Sequence, residues 1–324
     1  MSYQPIGYGK SDTGLVRANN EDEFISDDQL GVYAVIDGVG GHAAGERAAA
    51  IAKEMLLLRL ARQTGTIAER LREAIAVANN EIHEQSLRNL AWMGMACVLT
   101  VAVVAEGKAT IGHVGDTRLY KLRQGRIEKL TPDHSPIGEL EDEGSLAEVE
   151  AMRHPRRNEV YRDVGAEPHA PDDESFVEII ECTLEPEAAL LLCSDGLSDL
   201  VKKEEIARIE ARHRGRPDRI VEALIAAANQ AGGKDNVTVV YVAERRGLRA
   251  GFKPMEPAPL VRDEGGTRPL AIEAPIKRTV AARQTLVIPI PKPAARRSFQ
   301  SRLSGWLAAG AMLLLDGLAT FHRR

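Results

Sequence analysis

Cysteine is scarce. Cys97, Cys182 and Cys193 are the only three in 324 residues. The number is odd, the spacing is wide and each lies in an apolar run. That excludes a disulfide framework and a zinc cage, and it implies reduced core residues in a cytoplasmic domain. The N-terminus, Met1-Ser2-Tyr3-Gln4-Pro5, lacks both a positive region and an apolar run, so no signal peptide is expected. The glycines at 38, 40 and 41 are not followed by Lys-Ser or Lys-Thr, which removes a phosphate-cradling P-loop. Positive charge is thin in the body: residues 1–244 carry 27 Lys/Arg against 42 Asp/Glu, whereas residues 245–324 carry 15 against 5. An acidic body with a basic tail argues against nucleic-acid binding by the body. The remaining composition, 44% hydrophobic and 27% charged, is that of an ordinary globular protein with room for one large domain plus extras.

What is present is a repeated phrase. Val32-Tyr33-Ala34-Val35-Ile36 reads as a buried strand ending on a carboxylate, Asp37, and then Gly38, which has no Cβ to hold a ligand away from the backbone. Ala189-Leu190-Leu191-Leu192-Cys193-Ser194-Asp195-Gly196 repeats it, and Ile111-Gly112-His113-Val114-Gly115-Asp116 is a weaker copy. Carboxylates at the ends of buried strands are costly when unpaired, and several on one rim repel each other; the usual remedy is a bound cation.

Along the chain, residues 11–22 read as a turn, a short strand and a polar loop that delivers Arg17, Glu21 and Asp22. Residues 44–62 are helical, with Ile51, Met55, Leu58 and Arg62 stepping at helical spacing. Residues 66–89 form a second helix, whose stripe of Leu71, Ile75, Ala78 and Ile82 is core. Residues 95–105, 108–114, 117–122, 126–130, 176–182, 188–193 and 237–242 read as strands, several joined by tight turns that suit antiparallel pairing. Residues 136–157 are polar and acidic and read as a helix-bearing surface excursion. Residues 204–213 and 217–231 are helices, the second opened by Pro217 and stopped by Gly232-Gly233. Helices in pairs between groups of hairpin strands predict an α+β layered fold with antiparallel sheets. Asp37, Asp195 and Asp235 can then meet on one rim.

Past Glu244 the composition changes. Eight of sixteen prolines fall within residues 254–293, predicting a disordered linker over 245–302. Residues 303–321 are apolar and span about 28 Å as a helix at ~1.5 Å per residue, enough for a bilayer core. Arg296, Arg297 and Arg302 precede them as a basic flank. Asp316 opposes a spanning helix at a cost of up to ~2.5–3.5 kcal/mol at the bilayer centre. The tail reads equally as a membrane anchor on the inner face of the cell membrane or as an interfacial or partner-binding helix. Both readings keep the body cytoplasmic.

The segments Ser11-Asp12-Thr13-Gly14-Leu15-Val16-Arg17-Ala18-Asn19-Asn20-Glu21-Asp22, Asp37-Gly38-Val39-Gly40-Gly41-His42, Gly115-Asp116-Thr117-Arg118, Ser194-Asp195-Gly196-Leu197 and Gly232-Gly233-Lys234-Asp235-Asn236-Val237-Thr238, in this order over residues 8–243, resemble the metal-dependent protein phosphatases, the type 2C or PPM family, in a bacterial form. Each piece alone is weak; all in order are specific. The resemblance implies an α+β fold built as a β-sandwich of two antiparallel sheets flanked by helix pairs, α-β-β-α. It implies a monomeric catalytic domain over residues 1–244, with a substrate-contacting flap at about 136–165. It also implies two Mn²⁺ or Mg²⁺ ions, bridged by Asp37 and helped by the Gly38 carbonyl. Asp195 and Asp235 would bind on the other side, Glu21 and Asp22 directly or through water, and Asp116 would serve a third, weaker site. Arg17 would clamp the substrate phosphate, and a metal-bridging water would attack it. His42 and His113 are the candidates for general acid.

Residue chemistry agrees with the resemblance. The oxygen-only donor set selects Mg²⁺ or Mn²⁺ over zinc, and an arginine fork fits phosphate oxygens. The expected activity is hydrolysis of phosphoserine and phosphothreonine in proteins that a Ser/Thr kinase has modified. The alternatives are a pseudophosphatase binding module and a phosphatase of small phosphomonoesters. Two departures from the family pattern touch local hydrogen bonding near the site: Met95-Ala96 follows Met93-Gly94 where the family has hydroxyl residues, and Thr117 follows Gly115-Asp116.

Overall fold

The computed structural model describes residues 3–40 and 44–255. His42 lies outside the described residues, as do 256–302 of the expected linker and the apolar segment 303–321.

Ten strands form two antiparallel five-stranded sheets. In chain order they are β1 (Pro5–Asp12), β2 (Asp22–Asp27), β3 (Val32–Val39), β4 (Ala96–Ala105), β5 (Lys108–Val114), β6 (Arg118–Arg123), β7 (Arg126–Lys129), β8 (Glu178–Thr183), β9 (Ala189–Cys193) and β10 (Val237–Glu244). One sheet has the order β1-β10-β9-β6-β7 and the other β2-β3-β4-β5-β8. The helices are α1 (Ala44–Leu60), α2 (Ile67–Arg88), α3 (Pro136–Asp142), α4 (Glu148–Ala151), α5 (Asp195–Ser198), α6 (Lys203–His213) and α7 (Pro217–Gln230).

Three apolar layers hold the stack together. Between the sheets lie Tyr33, Val35, Ile111, Leu190, Leu192 and Val240. On the far face of the second sheet, Ile36, Leu99 and Val101 pack with Ala48, Ala52, Leu56, Leu71 and Ile75 of α1 and α2. On the far face of the first, Leu191, Val239 and Tyr241 pack with Ile206, Ile220 and Leu224 of α6 and α7. Strands β3, β4 and β9, apolar on both faces, are therefore buried on both sides. The α-β-β-α architecture and the core stripe Leu71, Ile75, Ala78, Ile82 stand as expected.

Three local expectations need correction. First, residues 13–21 contain no strand; β1 precedes them and β2 starts at Asp22. Glycines hide β1, because they are poor strand formers by propensity. Here they are required by packing. A Cβ on Gly7 would lie 2.4 Å from the Tyr33 ring and 2.5 Å from Ser26 Oγ, and one on Gly9 would lie 2.5 Å from the Phe24 ring. Second, the α1 stripe holds at Ile51, which is buried, but Leu58 is half exposed and much of the buried face is alanine: Ala44, Ala48, Ala49 and Ala52, with Leu56 and Leu60. Alanines add little hydrophobic signal, but they let the helix approach the sheet closely. Third, residues 245–255 stay on the domain. Arg249 N donates to Gly215 O at 2.8 Å, Phe252 meets the Tyr8 ring edge-on at 6.3 Å, and Gly9 N donates to Met255 Sδ at 3.1 Å. They cover β1, an edge strand whose open backbone groups call for a partner.

Replacing Gly7 by Ala should overpack the contact with Tyr33 and destabilise the domain by ~1–3 kcal/mol. Urea denaturation followed by circular dichroism would show this as a lower midpoint with an unchanged slope.

Candidate active site

The two sheets bring their carboxylates to one pole. Asp37 lies near the end of β3 in one sheet; Asp195 follows β9 and Asp235 precedes β10 in the other. The expected shared rim is thus built across the sandwich. A cleft of about 400 Å³ opens there, lined by Arg17, Glu21, Asp37, Gly38, Val39, Asp116, Asn158, Asp195, Asp235 and Asn236.

Close backbone contacts shape this pole. A Cβ on Gly38 would lie 2.2 Å from Gly45 O and 2.6 Å from Glu21 O. The glycine is therefore required by the start of α1 and by the Glu21 loop, in addition to any ligand. Gly38 N donates to Glu21 O at 3.2 Å, which pins Glu21 beside Asp37.

Asn236 does the same for the loop that carries Arg17. It is nearly fully buried, accepts from Glu21 N through Oδ1 at 2.9 Å, and donates through Nδ2 to Thr13 O at 3.0 Å and Asn19 O at 2.9 Å. Sequence reasoning gave Asn236 no role; its only signal was its position directly after Asp235. Arg17 Nη2 donates to Asp235 Oδ2 at 2.8 Å.

Asp22 is placed differently from Glu21. It pairs in register with Asp37 but is buried behind the cleft wall, where Ser194 Oγ donates to its Oδ2 at 2.8 Å. Burial pushes its pKa up to about 6 against those hydrogen bonds. Burial likewise raises Asp116 to about 6, opposed by Arg157. Asp37 and Asp195 are held well above the usual carboxylate range, first by burial and then by surrounding carboxylates. These are the marks of negative charge gathered where water cannot disperse it.

His113 is not a general acid. It is fully buried, with Nδ1 bonded to Thr100 Oγ1 at 2.8 Å and Nε2 to Pro132 O at 2.7 Å. Burial and neighbouring His134 push its pKa down to about 3. It braces the strand that leads to Asp116. The sequence placed it near a strand-end aspartate but could not show both ring nitrogens occupied. The three cysteines are unpaired, Cys97 and Cys193 buried and Cys182 half-buried.

The expected flap, of which residues 136–157 read as a surface excursion, is buried at its root. Arg118 reaches Asp133 at 2.7 Å and Glu141 at 2.7 Å; Lys129 reaches Asp133 at 2.8 Å and Asp142 at 2.6 Å. At the far end Arg157, also buried, contacts Asp199 at 2.8 Å, Asp133 at 3.4 Å and Asp116 at 3.5 Å. Val164 then pairs with Cys97 through two backbone hydrogen bonds. Charges draw this segment inward because each buried one needs a partner.

Among the described residues no three His, Cys, Asp or Glu side chains are drawn together into a preformed metal cage. The carboxylates instead stand around the cleft wall, as like charges do. Their chemistry still fits hard divalent cations: every donor is oxygen, and the raised pKa values of Asp37, Asp116 and Asp195 mark charge that a cation would relieve.

A family model described as "Protein phosphatase 2C" matches residues 16–232. The serine/threonine phosphatase stp of Listeria welshimeri is 34% identical over 253 residues, 75% of this chain and 96% of that protein. The crystal structure of the Mycobacterium tuberculosis serine/threonine phosphatase PstP/Ppp superposes with a TM-score of 0.66 at 32% identity, covering 74% of this chain and 98% of that one. The catalytic domain of PstP in complex with two manganese ions superposes at 0.64 and 31% identity, covering 74% and 97%.

Protons and cations should compete for these carboxylates. Because the folded-state pKa values of Asp22 and Asp116 are raised to about 6, those groups are ionised above pH 6 and take up protons as the pH falls through it. The rise in melting temperature on adding Mn²⁺ should be large at pH 7.5–8 and shrink steadily towards pH 5. Thermal melts with and without Mn²⁺ across that range would check this, and an equal rise at pH 8 and pH 5 would contradict it.

Proposed function

The chain belongs to the protein phosphatase 2C family and is a metal-dependent protein serine/threonine phosphatase; from that premise we propose how its residues share the work. The observation that carries the assignment is the cleft itself, where carboxylates from both sheets face a single arginine.

Asp37, the adjoining Gly38 carbonyl, Asp195, Asp235 and Glu21 would hold two Mn²⁺ or Mg²⁺ ions. Asp22, buried behind Asp37 and fixed by Ser194, acts through water or by orienting its neighbours. Asp116 serves a third, weaker site. When bound, paired divalent ions would lower the pKa of the attacking water and stabilise charge on the attacking and leaving oxygens. Phosphate monoesters hydrolyse so slowly unaided that such stabilisation is needed.

Arg17 clamps the phosphoryl group. Its side chain is half exposed and bonded to Asp235, so it is already aimed across the cleft and need only exchange one oxygen partner for another. His42, two residues beyond the cleft-lining Gly40, is proposed to protonate the departing seryl or threonyl oxygen.

The substrates are phosphoproteins, and we assign them to a Ser/Thr kinase as the opposing enzyme. The catalytic domain is taken as a cytoplasmic monomer that includes residues 245–255, with the rest of the tail as its leash and 303–321 as the attachment point. Among the described residues no helix is long and apolar enough to cross a membrane, so attachment rests on the tail sequence alone. An alkaline carbonate wash of membranes carrying the full chain tests it. A spanning helix stays in the pellet, a surface-bound one is released, and a protein found soluble before washing removes membrane attachment in either form.

The activity is tested by Mn²⁺-dependent phosphate release from a phosphothreonine peptide, with Asp195→Asn as the control. Turnover that needs no divalent ion, or that survives in the control, would overturn the site. Asp37→Asn should abolish turnover while leaving the apo domain folded, since it removes one charge from a repelling set. Arg17→Ala should act mainly on KM, raising it by roughly tenfold to a hundredfold for the loss of charge-assisted hydrogen bonds. His42→Ala should slow the phosphothreonine peptide far more than p-nitrophenyl phosphate, whose leaving group departs without a proton. Equal losses on both substrates would remove His42 from that role.

A further inference from the structure

A second hollow, of about 210 Å³, lies beside the catalytic cleft. Asn158, Asp195 and Asp235 belong to the walls of both. Its other walls have a different character. Arg153 and His154 come from the flap, Arg157 lies beneath them, and Lys234 comes from the loop before β10. The acidic group on that side, Asp199, is already paired with Arg157 Nε at 2.8 Å.

Arg153 and Lys234 are exposed and have no ion-pair partner among the described residues, although the adjacent Arg156 is paired with Glu159 at 2.7 Å. In a body where acids outnumber bases 42 to 27 over residues 1–244, these two cations share one hollow at the mouth of the active site.

We propose that this hollow is an anion subsite. While the phosphoresidue being hydrolysed occupies the catalytic cleft, a second anionic side chain of the same substrate segment, a phosphate or a carboxylate, is received by Arg153 and Lys234. The proposal rests on the phosphatase reading above and adds to it a preference for multiply phosphorylated or acidic segments. A shared wall makes the reach short: an extended peptide advances about 3.3 Å per residue, so a neighbour within a few residues of the phosphoresidue suffices. The repelling carboxylates on the shared wall, Asp195 and Asp235, are those assigned to the divalent ions and are neutralised by them. Since both cations are exposed, the attraction is moderate and weakened by salt.

The test uses matched peptides with one phosphothreonine and, one to three residues to either side, a second phosphothreonine, Glu, Ala or Lys. For the wild type, Arg153→Glu and Lys234→Gln, kcat/KM is measured with Mn²⁺ at low and high salt. The readout is the ratio between peptides within one variant, so a general loss of activity cancels. The wild type should favour the anionic peptides over the Lys peptide by roughly fivefold to tenfold at low salt. The ratio should shrink at high salt and in both variants, and reverse in Arg153→Glu. Whether phosphate or Glu ranks first distinguishes the two sources of the anion. Equal rates for all peptides, or the same ranking in Arg153→Glu as in the wild type, overturn the subsite. Turnover of p-nitrophenyl phosphate with no such ranking leaves the phosphatase reading standing alone. No turnover of any peptide by the wild type overturns that reading and the subsite with it.

Discussion

Repulsion between carboxylates, concentrated where two sheets end together, is the constraint around which this molecule is arranged. Asp22 and Asp37 face each other in adjacent strands, Asp195 and Asp235 approach from the opposing sheet, and Asp116 stands in the β5–β6 connection between the two. Burial and mutual repulsion raise the pKa of Asp37 and Asp195 far above that of a free carboxylate. A fold can carry such a cluster only if the rest of its interior is apolar and well packed, and the three layers of core provide that. Relief by divalent cations then couples metal binding to the stability of the same pole.

The protein's own cations are kept close to this cluster yet mostly out of it. Arg118 and Lys129 are spent on Asp133, Glu141 and Asp142 at the root of the flap, and against the upward pull of burial they hold the Asp133 carboxyl well below the usual range. Arg157 links that network to Asp116 and Asp199. The flap is therefore anchored through buried charge pairs on one side and a backbone bridge to Cys97 on the other, which leaves Arg153 at the hollow beside the cleft that Lys234 also lines. Removing one partner from such a network strands the other in a poor solvent, so the flap root is expected to be rigid even where its rim is open.

Much of this was legible in the chain. The strands around Asp37 and Asp195 announce themselves because they are apolar on both faces, and buried strands need no alternation. The α2 stripe is legible because its large side chains recur at helical spacing. The order of short acidic and glycine-bearing motifs carried the family and the metal type. The first strand was not legible, because Gly7 and Gly9 are dictated by the rings of Tyr33 and Phe24 in the opposite sheet, which local propensity cannot register. The face of α1 was legible only at Ile51 and Met55, because its alanines contribute closeness rather than hydrophobic signal.

By itself, then, the sequence determined the fold class and, through the order of its motifs, the family and the kind of metal it uses. Only the tertiary structure decided which of the candidates share a space. It put Asp37 and Asp195 on different sheets at one pole and set Asp22 behind the wall that Glu21 helps line. It enclosed His113 between Thr100 and Pro132, and it gave Asn236 the task of holding the Arg17 loop. Those outcomes depend on contacts between residues as many as 223 positions apart in the chain. Such contacts are fixed by how two sheets pack, and no local pattern encodes them.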